Sequence, residues 1–161
     1  MQPALAIHAD DHRDLWFFDT LVNIRVAEAD GDNGLSVLEH RARHGDSPPE
    51  HVHSDEDEVF HVLVGRVRMQ LAGKRLDLGQ GDTVIAPRGI PHTYRVESQE
   101  GGHFLTITCK GSFERFVRTI GRPAARLELP APGTPPTPEQ MQAVTDIARR
   151  CGIEFVGPPL S

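Results

Sequence analysis

The stretch GDSPPEHVHSDEDEVFHVLVG, from Gly45 to Gly65, mixes three histidines with a run of acidic residues. His51 and His53 are separated by one residue. Side chains on a strand alternate between faces, so both imidazoles leave the same face and their ring nitrogens can converge on one point. Glu58 opens the next run, EVFHVLV, and shares a face with Phe60, Val62 and Val64. That face is apolar and is expected to point inward. A carboxylate at the mouth of an apolar interior is costly unless it is paired or bound to metal. The expected geometry is an antiparallel return that brings Glu58 back beside the two histidines. GQGDTVIAPRGIPHTYRV supplies a fourth group, His92, after a Gly/Pro-rich turn, with Tyr94 and Val96 on its face. Three imidazoles and a carboxylate suit one divalent first-row metal, whether iron, manganese, nickel, cobalt, copper or zinc. They leave one or two coordination positions open, which separates a catalytic site from a closed structural one.

Strand parity gives the neighbours plainer roles. Asp55, Glu56 and Asp57 fall in the turn and are expected to be solvated. His61 lies on the face opposite Glu58. Asp46 and Glu50 have no assigned role, and His40, His44 and His103 lack partners at useful spacing. Arg25 and Glu39 are strand residues whose facing stays open; either becomes a substrate-contact candidate if it points inward.

The elements that position these residues read as short strands from about Leu15 to Cys109. LWFF, LVNIRVA, LSVLEHRA, EVFHVLV, RVRMQLA, KRLDL, DTVIAP, HTYRVE and HFLTITC are punctuated by Gly, Pro and Asp. Many short strands with no helix between them predict an all-β antiparallel sandwich or barrel. The character changes after Lys110. GSFERFVRTIG has helical spacing and closes at Gly121. Beyond the Pro-rich connector LPAPGTPPTPEQ, Thr137 is a predicted N-cap, with Pro138 at the first helical position and Gln140 three after the cap. That helix is expected to bury Met141, Val144, Ile147 and Ala148 and to end near Gly152, with IEFVGPPLS docking as an extended tail. The prediction is one domain over residues 1–161, with a core at about 15–109 and a helical tail at about 111–161.

The chain as a whole sets bounds. Its 161 residues are enough for one stable core. With 23 acidic and 17 basic side chains, the net charge of −6 repels phosphate backbones, so no nucleic-acid partner is expected. No stretch approaches the ~18 consecutive apolar residues of a membrane span. The N-terminus lacks the basic start and apolar run of a signal peptide. Cys109 and Cys151 show no ligand spacing and read as free thiols. The expected location is cytoplasmic.

The two motif stretches resemble the cupin family. Its first motif is Gly, five residues, His-x-His, three or four residues, Glu, six residues, Gly. Gly45, His51, His53, Glu58 and Gly65 match it at every spacing. The second is Gly, five residues, Pro-x-Gly, two residues, His, three residues, Asn. Gly81, Pro87, Gly89 and His92 match, and Val96 stands in place of the Asn. The resemblance implies an antiparallel jelly-roll β-barrel with a metal near the centre of one sheet, bound by His51, His53, Glu58 and His92. It also implies a homodimer that exchanges N-terminal strands or packs sheet edges. A narrower likeness, carried by LWFFDTLVNIRVA, PPEHVHSDEDEVFHVLVGRV, APRGIPHTYRV and GSFERFVRTIGRPA, is to small bacterial single-domain cupins of the quercetin 2,3-dioxygenase-like kind.

That likeness implies a metal-dependent dioxygenase whose partners are a small molecule, such as a flavonol or similar hydroxy-carbonyl compound, and dioxygen. Glu58 is the catalytic candidate, either a ligand throughout or one that loosens to accept the substrate's hydroxyl proton. Phe60, Met69 and Tyr94 are the substrate-binding candidates. The same ligand set also serves an isomerase, lyase or decarboxylase, or a non-catalytic small-molecule-binding cupin.

Overall fold

The computed structural model describes residues 5–8 and 13–161; the stretch read above for a leader lies largely outside them. The strands are β1 (Asp14–Phe17), β2 (Thr20–Val26), β3 (Leu35–Ala42), β4 (His51–His53), β5 (Glu58–Val64) and β6 (Val67–Leu71). They continue as β7 (Lys74–Leu78), β8 (Thr83–Ala86), β9 (His92–Val96), β10 (Gly102–Cys109), β11 (Arg122–Pro123) and β12 (Ile153–Phe155). Helix α1 (Ser112–Ile120) follows β10, and α2 (Pro138–Arg150) precedes β12. Among the described residues no helix is long and apolar enough to cross a membrane.

The strands form two antiparallel sheets, ordered β11-β1-β2-β3-β10-β5-β8 and β12-β4-β9-β6-β7. Among the described residues no hydrogen-bonded ladder closes them into a ring, so the jelly roll is a sandwich of two sheets rather than a closed barrel. Period-two burial explains the sandwich. Along β5 and β10 buried and part-exposed residues alternate, which gives each strand one inward face. Phe60, Val62 and Phe104 from one sheet meet Val67, Met69 and Val96 from the other. Each such side chain stabilises the packed state by roughly 1.5–3 kcal/mol.

Backbone constraints fix the turns that frame the site. Gly65 has φ +92°, and a Cβ there would lie 2.8 Å from the Gly101 carbonyl oxygen. A larger residue would therefore strain the backbone and push the two loops apart.

Both C-terminal helices form as the spacing predicts. Thr137 accepts from the Gln140 N–H and Gln140 reaches back to the Thr137 N–H, a complete capping box. Phe116 of α1, Ala148 of α2, and Cys151 and Ile153 build an apolar cluster of their own. Glu114 of α1 is buried at 2% exposure. It accepts hydrogen bonds from Ser36 Oγ at 2.6 Å, the Glu28 N–H at 2.7 Å and Arg118 Nε at 2.8 Å. The tail docks on the edge of the smaller sheet, where β12 pairs with β4.

The open facings also resolve. Glu39 hydrogen-bonds Arg25 and, at 2.6 Å, His103. This network lies on the face of the larger sheet away from the core, so neither Arg25 nor Glu39 contacts the cavity described below. His61 meets Thr83 Oγ1 at 2.8 Å on the same outer face. Cys109 and Cys151 are both free.

Glu114→Ala removes the acceptor shared by three donors and leaves buried Ser36 unpaired. It is expected to lower stability by about 2–3 kcal/mol, measured as a shift in the urea midpoint at unchanged slope.

Candidate metal centre

The site is assembled across the sandwich. His51 on β4 stands opposite His92 on β9 in the ladder, and their ring centroids are 4.4 Å apart. His53, two residues on from His51, has its ring centroid 5.5 Å from that of His92. Glu58 does not arrive by a hairpin return from β4, as expected from the sequence. β5 belongs to the other sheet, and Glu58 reaches the histidines across the interior. The three imidazoles and the carboxylate therefore come from facing sheets rather than one. The linker at Ser54–Asp57 crosses between sheets instead of folding the chain back within one. Glu58 Oε2 lies 3.1 Å from His92 Nε2 and 3.3 Å from His53 Nε2.

One potential ligand atom from each of the four residues lies within 4.8 Å of the others, and all four residues are buried. The chemistry of the donors fits a metal. His51 Nδ1 sits 2.8 Å from the Pro49 carbonyl oxygen, and His92 Nδ1 sits 2.9 Å from that of Ile90. His53 Nδ1 sits 3.0 Å from Glu56 Oε1. Each acceptor fixes the proton on Nδ1, which leaves the Nε2 lone pair as the ligand atom. Among the described residues no hydrogen bond reaches the fully buried His53 Nε2, although the Glu58 oxygen is 3.3 Å away. An orphaned imidazole nitrogen beside a buried carboxylate is what a cation would satisfy.

Electrostatics in the protein alone point the same way. Burial opposes charge on His53, but the carboxylates of Glu58 and Glu56 outweigh it and push its pKa up. Burial likewise works against the Glu58 anion, but His53 and His92 hold its pKa well below the usual carboxylate range. Burial, then repulsion from His92, pulls His51 down to about 4, so it stays neutral.

Glu56 corrects the solvated reading of the turn. It is 2% exposed. Besides His53 it accepts from the Phe113 N–H at 2.7 Å and the Ser112 N–H at 3.2 Å, at the start of α1. The run of charges around it gave no signal, because only the later helix reveals its partners. Asp57 is exposed as expected and accepts from the Arg88 N–H at 2.9 Å. The adjacent Gly89 N–H donates to the His53 carbonyl oxygen at 2.7 Å, tying the turn before β9 to β4.

A cavity of about 320 Å³ opens onto this cluster through His51 and Glu58. Phe60 and Tyr94, two of the substrate-binding candidates, line it. Met69 does not. It is 1% exposed and packs in the core, because β6 lies on the far side of β9 from β4. The tail supplies much of the remaining wall, including Phe113, Phe116, Val144 and Phe155. The wall also carries polar residues not expected from the sequence, His40 and Asp46 among them. His40 is 3% exposed, its Nε2 2.9 Å from Thr106 Oγ1. Its ring stacks on Phe104 at 5.1 Å. Burial pulls its pKa down to about 4. Its parity with Leu38 on β3 was the available signal. Asp46 also lines the cavity and accepts from the Tyr94 hydroxyl at 3.1 Å.

The protein is expected to bind about one first-row divalent metal per chain by elemental analysis. His51→Ala and His92→Ala abolish binding, and Glu56→Ala weakens it by roughly 10–100-fold. Because the raised His53 pKa means a proton must leave as metal enters, calorimetry in buffers of different ionisation heat should detect proton release. Affinity should fall as pH falls through neutrality, by up to about tenfold per unit.

Comparison with known proteins supplies the family. Residues 38–108 match the family described as Cupin domain. Quercetin 2,3-dioxygenase of Bacillus subtilis is 37% identical over 86 residues, which are 53% of this chain and 25% of that protein. The match thus spans about a quarter of that relative's length. Among solved structures, KdgF from Halomonas sp. aligns at TM-score 0.58 and 16% identity, over 66% of this chain and 94% of that one. The polyketide cyclase RemF from Streptomyces resistomycificus aligns at TM-score 0.56 and 21% identity, over 67% and 80%. At such identities the structures speak for the fold alone. The motif spacing and the family match agree: over residues 38–108 this chain carries a cupin domain.

Proposed function

We propose that the protein is a metal-dependent dioxygenase of the quercetin 2,3-dioxygenase type, acting on a flavonol or a similar aromatic hydroxy-carbonyl compound. The observation that carries this reading is the meeting of the four-residue cluster with a cavity whose wall is otherwise mostly aromatic and apolar. Its volume, about 320 Å³, falls at the lower end of the range that encloses small organic ligands. The likeness to quercetin 2,3-dioxygenase supports the choice of substrate class.

A metal held by His51, His53, Glu58 and His92 would act as a Lewis acid toward a substrate hydroxyl and open a path to dioxygen chemistry. The chain's own groups do the rest. Among the described residues Glu58 is engaged through Oε2 alone, which leaves Oε1 to accept a hydroxyl proton from a ligand within about 3 Å. Phe60 and Phe113 offer faces and edges to a flat ring system, and the apolar wall excludes water from the reacting atoms.

His40 favours a second reading, an isomerase, lyase or decarboxylase. It is a neutral imidazole on the same wall, able to move a proton without dioxygen.

Incubation of metal-loaded protein with quercetin, with and without dioxygen, separates the two. The expected result is dioxygen-dependent loss of flavonol absorbance with release of carbon monoxide. Equal loss without dioxygen favours the proton-transfer reading, and no loss with any first-row metal overturns the flavonol assignment. Glu58→Gln is expected to reduce kcat by roughly 10²–10⁴-fold while weakening metal binding far less. Full activity in that variant would remove Glu58 as proton acceptor.

A further inference from the structure

The cavity has a second polar pole that the metal site leaves unused. Asp46, Tyr94 and Thr20 all line it. The Tyr94 hydroxyl donates to Asp46 Oδ2 at 3.1 Å, and Thr20 also hydrogen-bonds the Asp46 side chain. The local turn is held by the main chain. The Asp46 N–H donates to the Arg43 carbonyl at 3.1 Å, and its own carbonyl accepts from the Val96 N–H at 3.0 Å. The carboxyl group is not needed for that turn, and a neutral acceptor would satisfy Tyr94. Among the described residues no ion pair answers Asp46, and Arg43 acts on it only from a distance. Burial correspondingly pushes its pKa up. A carboxyl group in this position, with acceptor capacity to spare, is stabilised by a donor from a ligand.

The spacing of the two poles defines that ligand. Tyr94 follows His92 by two strand residues, roughly 6–7 Å. The Phe60 ring centroid lies 6.1 Å from both His92 and Tyr94. A flat molecule that meets Glu58 and lies against Phe60 therefore presents its far side to Asp46.

We propose that Asp46, held by Tyr94, is a hydroxyl-recognition group, and that the ligand is a flat aromatic compound with a hydroxyl donor on the side away from the atom that meets Glu58. This rests on the aromatic-substrate reading above, but not on turnover.

The test is calorimetric titration of zinc-loaded protein without dioxygen. The probes are quercetin, whose catechol ring carries two hydroxyls, and galangin, the flavonol that lacks both. Wild type is expected to bind quercetin about tenfold or more tighter than galangin. Asp46→Ala erases the difference. Asp46→Asn, which keeps the shape and an acceptor for Tyr94, narrows it and guards against loss of fold. Equal binding of the two flavonols to wild type, or a difference that survives in Asp46→Ala, overturns the assignment of Asp46 alone. If neither flavonol binds wild type, this assignment and the flavonol reading fall together. If both bind with the expected difference but neither is consumed in air, the subsite stands and the dioxygenase reading falls.

Discussion

A carboxylate buried between two sheets must be answered by positive charge, and Glu58 imposes that requirement on the molecule. It is 2% exposed, and its nearest polar neighbours are two imidazole nitrogens from the opposite sheet. Unanswered, such a group would cost several kcal/mol. β5 must therefore meet β4 and β9 at one depth. Pairing of β5 with β10 and of β10 with β3 carries that alignment across the larger sheet. In the protein alone, the carboxylates of Glu58 and Glu56 push the His53 pKa up, which favours positive charge on that imidazole.

The C-terminal tail is part of this construction. Glu56 joins His53 to the first N–H groups of α1, so the helix start and the imidazole share one carboxylate. β12 pairs alongside, with Ile153 opposite His53 and Phe155 opposite His51. The strand that carries two histidines is thus not an edge, and the cavity gains aromatic walls from the same segments. The tail thus supplies cavity wall, the neighbouring strand of the ladder and the helix start that holds Glu56.

Much of this was legible in the sequence, and for identifiable reasons. Strand parity depends only on local geometry, so it assigned His51, His53, Glu58 and His92 to inward faces and His61 to an outward one. Capping chemistry is equally local, and Thr137 to Gln140 formed as read. What failed were relations between distant segments. Glu58 looked like the return arm of a hairpin, because nothing in Ser54–Asp57 states that the chain changes sheets there. Glu56 looked solvated, because the backbone N–H groups that hold it lie more than fifty residues on. Met69 had the right parity for the cavity but the wrong strand. Parity chooses a face and leaves open which end of the sandwich that face serves.

The four cluster residues differ in how firmly they are held, and this bears on what the site does. Each histidine has its Nδ1 anchored, two to backbone carbonyls and one to a carboxylate that is itself held by a helix start. Their Nε2 atoms are preset, so little ordering remains when a cation binds. Glu58 has no such anchor on its second oxygen, and together with His51 it faces the cavity. A closed structural site gains nothing from leaving one ligand half-free beside a cavity. The proton acceptance proposed for Glu58 requires it, because the group that accepts the proton must change partners while the others hold still.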